Sequence, residues 1–225
     1  MRTPDKNTLE NCDTLMLDMD GTLLDLAYDN HLWMEVVPSE FARQRAIPEQ
    51  EAREQLYAKM RALRGTLDWY CLDFWSEQLE LDILGLHREQ NHRIGFLPGA
   101  ERFLEQVANS RLRVLMVTNS HRSTLDLKND VTGLIRHFDG IYTSHDLGHP
   151  KEDQPFWQHL QEEVGFDPET TLFVDDNVAV LNSANTFGIR HLVAVAEPDS
   201  SAPAQQVDDY PAVDRVARLV SQAAD

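Results

Sequence analysis

From about residue 95 the chain alternates between short apolar runs and stretches with helical spacing, and this alternation restricts the possible folds more than any other feature. The segments "RLRVLMVTNS", "DGIYTSHDL", "TTLFVDDN" and "IRHLVAV" read as strands. Between them "HRSTLDLKND", "EDQPFWQHLQEEVG" and "AVLNSANTFG" read as helices, the last two stopped by Gly165 and Gly188. Strands joined through helices run parallel and are covered on both faces. The expected class is therefore α/β with a Rossmann-like parallel-sheet core. One more apolar run, Thr14-Leu15-Met16-Leu17, supplies a strand before this region.

Between that strand and residue 95 the pattern differs. "NHLWMEVVPSEFARQR", "PEQEAREQLYAKMRALRG" and "LDWYCLDFWSEQLEL" carry helical spacing, with no convincing strand. The expectation is a core domain made of residues 1–26 and 95–225, with an all-helical domain inserted at 27–94. Gly95, Pro98 and Gly99 at its return are candidate hinge positions. The stretch "AEPDSSAPAQQVDDYP" reads as an exposed loop before a short final helix.

The first strand ends in charge. Asp18 and Asp20 are two residues apart, so on a strand they point to one face. At close contact they repel by about 4 kcal/mol at an effective dielectric of about 20, and a divalent cation is the obvious compensation. Ligands of parallel α/β sheets bind outside the carboxyl ends of the strands. At those ends the sequence places Thr118-Asn119-Ser120, small hydrogen-bonding residues leading into a helix whose free N–H groups favour phosphate. It also places Lys151, ahead of a helix, and the pair Asp175-Asp176. Four carboxylates, a hydroxyl-bearing turn and one lysine at one edge have the charge balance of a metal-plus-phosphate site. Singly, each has a plain structural use: Asp175 as a cap for a helix starting near Val178, Thr118 and Asn119 as an ordinary turn, Lys151 as a solvated surface charge.

In this order and context the residues resemble the haloacid dehalogenase superfamily: "DMDGT" its first motif, Thr118 in "TNS" its second, Lys151 its third and "VDDN" its fourth. The helical insertion after the first motif is similar to the superfamily's helical cap. The resemblance implies Asp18 as nucleophile and Asp20 as general acid and then base, with the Asp20 backbone carbonyl as a Mg²⁺ ligand. Thr118 and the backbone around Asn119 would hold phosphoryl oxygens, and Lys151 would neutralise Asp18 and the transferred group, no other cation lying in the motifs. Asp176 would bind Mg²⁺ directly, with Asp175 at one remove. Dehalogenases of the superfamily attack carbon without a metal, so Asp20, Asp175 and Asp176 favour phosphoryl chemistry, and Thr22 favours hydrolysis over mutase action.

Further segments, among them "LLDLAYDN", "LDWYCLDFWSEQLELD", "GHPKEDQPFW" and "FGIRHLVAV", are similar to purine 5′-nucleotidases of this superfamily, which act on GMP and IMP. That implies a purine nucleoside monophosphate as the small-molecule substrate. Sugar phosphates or phosphoglycolate are alternatives within the same chemistry; a silent scaffold and a metal-independent dehalogenase are minor ones. Asn30, His31, Trp69 and Tyr70 are candidate substrate contacts in the insertion, although its aromatic residues, Trp33, Phe74 and Trp75 included, also suit a helical core, and Tyr70 and Phe74, four apart, are expected to pack inward. His121 and His149 suit ligand contacts or helix caps equally.

Net charge of −18 and a pI near 4.7 argue against nucleic-acid or anionic-membrane surfaces as partners. Cys12 and Cys71 form no metal-spacing pair and read as reduced thiols, and no apolar leader or spanning segment is seen, so a cytoplasmic location is expected.

Overall fold

The computed structural model describes residues 2–5 and 8–220. Among them six strands form one sheet: β1 (Thr14–Leu17), β2 (Arg113–Thr118), β3 (Gly140–Thr143), β4 (Thr171–Asp175), β5 (His191–Val195) and β6 (Ala212–Val213). Their order is β3-β2-β1-β4-β5-β6, and every pairing is parallel. β1 lies at the centre, with Leu17 level with Met116 of β2 and Val174 of β4.

Side-chain alternation along the strands divides the core between two faces. Met16, Leu115, Val117 and Phe173 point into a cluster with Phe156, Trp157 and Leu160, whereas Leu15, Leu17, Val114 and Val174 meet Phe103, Leu104 and Val107. The helices that supply these partners are α7 (Ala100–Ala108), α10 (Gln154–Val164) and α11 (Val178–Phe187), while α8 (Arg122–Thr132) and the short α9 (Ser144–Leu147) follow β2 and β3. α10 and α11 end at Gly165 and Gly188 in the left-handed region, as their sequences suggest.

The insertion is helical throughout. α1 (Ala27–His31) continues through a π-turn, Leu32–Val36, into α2 (Val37–Arg45), and α3 (Glu49–Leu63), α4 (Leu67–Tyr70), α5 (Leu72–Leu79) and α6 (Ile83–Glu89) follow. These helices bury their own cluster, from Leu32 and Phe41 through Leu56 and Trp75 to Ile83. The two connecting strands of chain lie side by side: the Asp25 N–H donates to the Gly95 carbonyl (3.0 Å) and the Leu97 N–H to the Leu23 carbonyl (2.8 Å).

Three expectations need correction. β6 follows directly after the Pro- and Ser-rich stretch, and its two residues are too few to show a period. That stretch is exposed only in part: residues 200–206, 208 and 209 are, but Asp199 and Val207 are buried. The Pro198 carbonyl accepts the Leu26 N–H, and the Ser200 N–H donates to Asp25, so this loop is stitched to the start of the insertion. The final helix is a 3₁₀ turn, Val216–Leu219, and the remainder of the expected span lies outside the described residues. No helix among the described residues is long and apolar enough to cross a membrane.

Candidate active site

The carboxyl edge of β2, β1 and β4 brings the motif residues together. Asp18 follows β1 directly, its N–H donating to the Val174 carbonyl at 3.0 Å, so the chain stays extended and the side chain is carried past the sheet edge. Asp175 is the last residue of β4 and Thr118 the last of β2. Lys151 arrives from the loop after α9, and its ammonium lies 2.5 Å from Asp18 Oδ1, 2.7 Å from Asp175 Oδ2 and 3.1 Å from the Val117 carbonyl. At 2% exposure Lys151 is an interior ion-pair partner and not a surface charge.

Carboxylate oxygens of Asp18, Asp175 and Asp176 all lie within 4.8 Å of one another. Burial, and then mutual repulsion, pushes the Asp176 carboxyl well above its usual range; burial likewise raises Asp175 and takes Asp18 up to about 7, against the pull of Lys151. Burial alone would lower the Lys151 ammonium, but Asp175 and Asp18 outweigh it and raise it. The 2.5 Å charge-assisted hydrogen bond favours the ionised pair. Three carboxylates then face one ammonium, and hard oxygen donors with uncompensated negative charge suit Mg²⁺. Gly21 closes this side: it has φ +84°, and a methyl group there would sit 2.7 Å from Asp176 Cγ.

Asp20 departs from the cluster. Its Oδ1 accepts a hydrogen bond from Lys128 at 2.7 Å, and the same ammonium lies 2.8 and 2.9 Å from the two carboxylate oxygens of Asp29 in α1. Lys128 is thus a second buried cation beside the motifs, which corrects the expectation that Lys151 stands alone. Burial would lower Lys128, but Asp20 and Asp29 outweigh it and raise it. The signal available in the sequence was its place on the buried face of α8, three and four residues beyond Leu125 and Thr124.

The phosphate-type turn is held rigidly. Thr118 Oγ1 accepts the Ser120 N–H at 3.0 Å, and the Asn119 side chain accepts the Lys151 N–H at 2.9 Å and donates to Glu152 at 3.0 Å. Asp175 Oδ1 accepts the Asn177 N–H, while Asn177 itself caps α11.

The candidates in the insertion are placed differently. Tyr70 does not pack inward as expected: its hydroxyl crosses to the sheet domain and donates to Glu152 Oε1 at 2.6 Å. Phe74 does turn inward, edge-on to Trp75 at 5.5 Å. Trp69 is also edge-on to Trp75, at 6.3 Å, and belongs to the helical core. Asn30 donates to Asp199 at 2.7 Å, and His31 ends α1 half-buried. His121 caps α8, accepting the Ser123 N–H, and His149 lies against His159 with ring centroids 5.3 Å apart.

The family pattern of the haloacid dehalogenase-like hydrolases matches residues 12–188, which spans the sheet edge and the whole insertion. The chain belongs to this family. The hydrolase is 40% identical over 211 residues to a protein of Escherichia coli strain K12 named GMP/IMP nucleotidase YrfG, covering 94% of this chain and 95% of that one. Among solved structures it shares its fold with a HAD phosphatase from Thermococcus onnurineus (TM-score 0.78, 22% identity, 94% and 98% of the two chains covered). It also shares it with L-2-haloacid dehalogenase from Xanthobacter autotrophicus (TM-score 0.61, 19% identity, 95% and 100% covered). Those two neighbours carry different names on one scaffold, so the choice of reaction in this hydrolase rests on its own side chains.

Proposed function

We propose that this hydrolase is a Mg²⁺-dependent phosphomonoesterase that hydrolyses purine nucleoside 5′-monophosphates, GMP and IMP, through an aspartyl-phosphate on Asp18. The observation that carries the chemistry is the buried Lys151 ammonium bridging Asp18 and Asp175 beside Asp176. The substrate reading is supported by the 40% identity to the nucleotidase.

The Asp18 carboxylate attacks phosphorus, and its new O–P bond replaces the bond to the nucleoside oxygen. Asp20 gives that oxygen its proton, then takes one from the water that attacks the aspartyl-phosphate, releasing phosphate and restoring Asp18. Lys128 fixes the direction of the Asp20 carboxylate during both transfers. Lys151 keeps Asp18 ionised and offsets charge on the phosphoryl group, and Thr118 with the N–H groups of its turn orients the phosphoryl oxygens. Held by Asp18, Asp176 and the Asp20 backbone carbonyl, with Asp175 at one remove, Mg²⁺ would supply neutralisation of the phosphoryl charge. The helical insertion serves as a cap that excludes water, joined to the core by the Tyr70–Glu152 contact.

The experiment is phosphate release from purine and pyrimidine monophosphates, sugar phosphates and phosphoglycolate, with Mg²⁺, with EDTA, and with Asp18→Asn. Preference for GMP and IMP, lost in both controls, is the expected result. Release from sugar phosphates instead keeps the mechanism and discards the nucleotide. Release that survives EDTA discards the metal.

A further inference from the structure

Where the insertion meets the sheet domain, three soft or borderline metal-ligating side chains lie together. Cys71 lies between α4 and α5, His121 precedes α8, and His145 is in α9, and one ligand atom from each lies within 4.8 Å of the other two. We propose that Cys71, His121 and His145 form a second metal site, for a thiophilic divalent ion such as Zn²⁺, that ties the helical insertion to the sheet domain. It shares no residue with the Asp18–Asp175–Asp176 cluster.

The donor types separate the two sites. Carboxylate oxygens suit Mg²⁺, whereas one sulfur and two imidazoles suit Zn²⁺, with a fourth position left for water or an acid. The Asp73 carboxylate is 3.9 Å from His121 Nε2 and is the acid available to fill it. The rings of His121 and His145 are 4.8 Å apart and nearly perpendicular, at 79°.

His145 supplies an independent pointer to a ligand. Its Nδ1 is within 3.3 Å of the Ser144 hydroxyl, but its Nε2 is shielded from solvent and has no hydrogen-bond partner. A buried polar atom left unpaired is uncommon and calls for an explanation, a bound ion being one. Burial, then the neighbouring His121, holds the His145 imidazole below its ordinary value, which keeps it in the neutral form that binds metal. Bonds of about 2.0–2.3 Å to nitrogen and sulfur would draw the three donor atoms together by about 1 Å, within reach of side-chain rotation.

The position gives the site a consequence. Cys71 follows Tyr70, which already bridges to Glu152, and His121 follows Ser120 of the Thr118 turn. A metal there fastens the insertion against the turn and slows its opening. Binding stands without the phosphatase reading; only the effect on turnover rests on it.

The test titrates Zn²⁺, and Co²⁺ as a spectroscopic probe, into the full chain under saturating Mg²⁺. One tight equivalent is expected, with thiolate-to-cobalt charge-transfer absorption. That absorption should vanish in Cys71→Ser, affinity should fall at least 10-fold in His145→Ala, and both should persist in Asp176→Asn. Circular dichroism checks that each variant is folded. Should the purified protein also release phosphate from GMP, Zn²⁺ under saturating Mg²⁺ should slow the wild type and not Cys71→Ser. A titration unchanged in both folded variants, or cobalt absorption with no thiolate band, would overturn the site whatever the enzyme hydrolyses.

Discussion

The Lys128 ammonium lies 2.7 Å from the Asp20 carboxylate and holds it apart from the cluster formed by Asp18, Asp175 and Asp176. Two acids in one short motif thereby enter different surroundings, one paired with Lys151 beside the metal-type cluster, the other paired with Lys128 beneath the first helix of the insertion. Because Lys128 also binds Asp29 of α1, the position of Asp20 depends on that helix staying in place.

Lys128→Met removes this clamp and leaves Asp20 and Asp29 without their cation. We expect kcat to fall by about 10²-fold, the lower end of what a well-placed acid/base contributes, and stability to fall by about 3–5 kcal/mol, as for breaking a buried pair. Asp29→Asn, which leaves the Lys128–Asp20 contact in place, should cost less in kcat. Steady-state kinetics on GMP and urea unfolding measure the two effects separately; an unaltered kcat in folded Lys128→Met would reduce the lysine to a structural part.

Metal removal should be visible without any substrate. Mg²⁺ at about 100 times its Kd should stabilise the wild type by about 2.7 kcal/mol. Asp176→Asn relieves repulsion among three carboxylates, so its melting temperature in EDTA should equal or exceed that of the wild type, while its response to Mg²⁺ should be lost. Calorimetry with and without Mg²⁺ reads both; a full Mg²⁺ response in the variant would remove Asp176 from the ligand set.

Tyr70→Phe deletes the 2.6 Å hydrogen bond to Glu152 that spans insertion and core. A hydrogen bond to a charged group is worth about 1.5–3 kcal/mol, so substrate affinity should weaken by about 10-fold or more if closure depends on it. KM should rise with little change in kcat. An equal loss in kcat instead would mean that Tyr70 acts on the transition state through the Glu152–Asn119 link.

His87 is fully buried, hydrogen-bonded through Nδ1 to the Tyr28 hydroxyl at 2.7 Å, and burial, then Lys128, depresses it to about 3. Between about pH 6.5 and 3 the unfolded chain binds a proton at this residue that the folded chain refuses. Stability is therefore unpenalised above about pH 6.5 and falls as pH drops through that window, by up to about 1.4 kcal/mol per pH unit. His87→Gln should remove that component, so the difference in unfolding free energy between variant and wild type should shift in favour of the variant as pH is lowered from 7 to 4. A difference that stays flat with pH would show that His87 is protonated in the native state.

Glycines at the joints should behave unequally. Gly95 has open space where a methyl group would project and no left-handed backbone, so Gly95→Ala should leave stability nearly unchanged and report on hinge motion through kcat alone. Gly99 has φ +82°, and a methyl there would meet Ala217 Cβ at 2.8 Å, so Gly99→Ala should destabilise the sheet domain by about 1–2 kcal/mol. That contact gives Gly99 a packing role beside the hinge role expected from its place at the joint. Thermal melts beside kinetics separate the two.

The parallel sheet and the ends of its strands could be read from local pattern alone, because a strand buried on both faces must be an uninterrupted apolar run and its ligand-bearing residues must follow at the carboxyl end. Asp18, Thr118, Lys151, Asp175 and Asp176 were found in this way, and the structure brings them to one edge. The two-residue β6 escaped because it borrows its stability from β5 and has no period of its own. Tyr70 turns to the core and not inward because helical spacing sets which residues share a face and not which domain that face meets.

What the sequence determined by itself was the type of the longer elements and the chemical kind of residue at their strand ends, since both follow from interactions within a few residues along the chain. Only the tertiary structure decided the partners. Lys128 reaches Asp20 across 108 positions, Asn30 reaches Asp199 across 169, and Cys71 meets His121 and His145 from the other side of the domain joint. Such contacts depend on how separately folded pieces dock, and burial on docking turns a solvated lysine, asparagine or histidine into one whose charge and hydrogen bonds must be met by a specific neighbour.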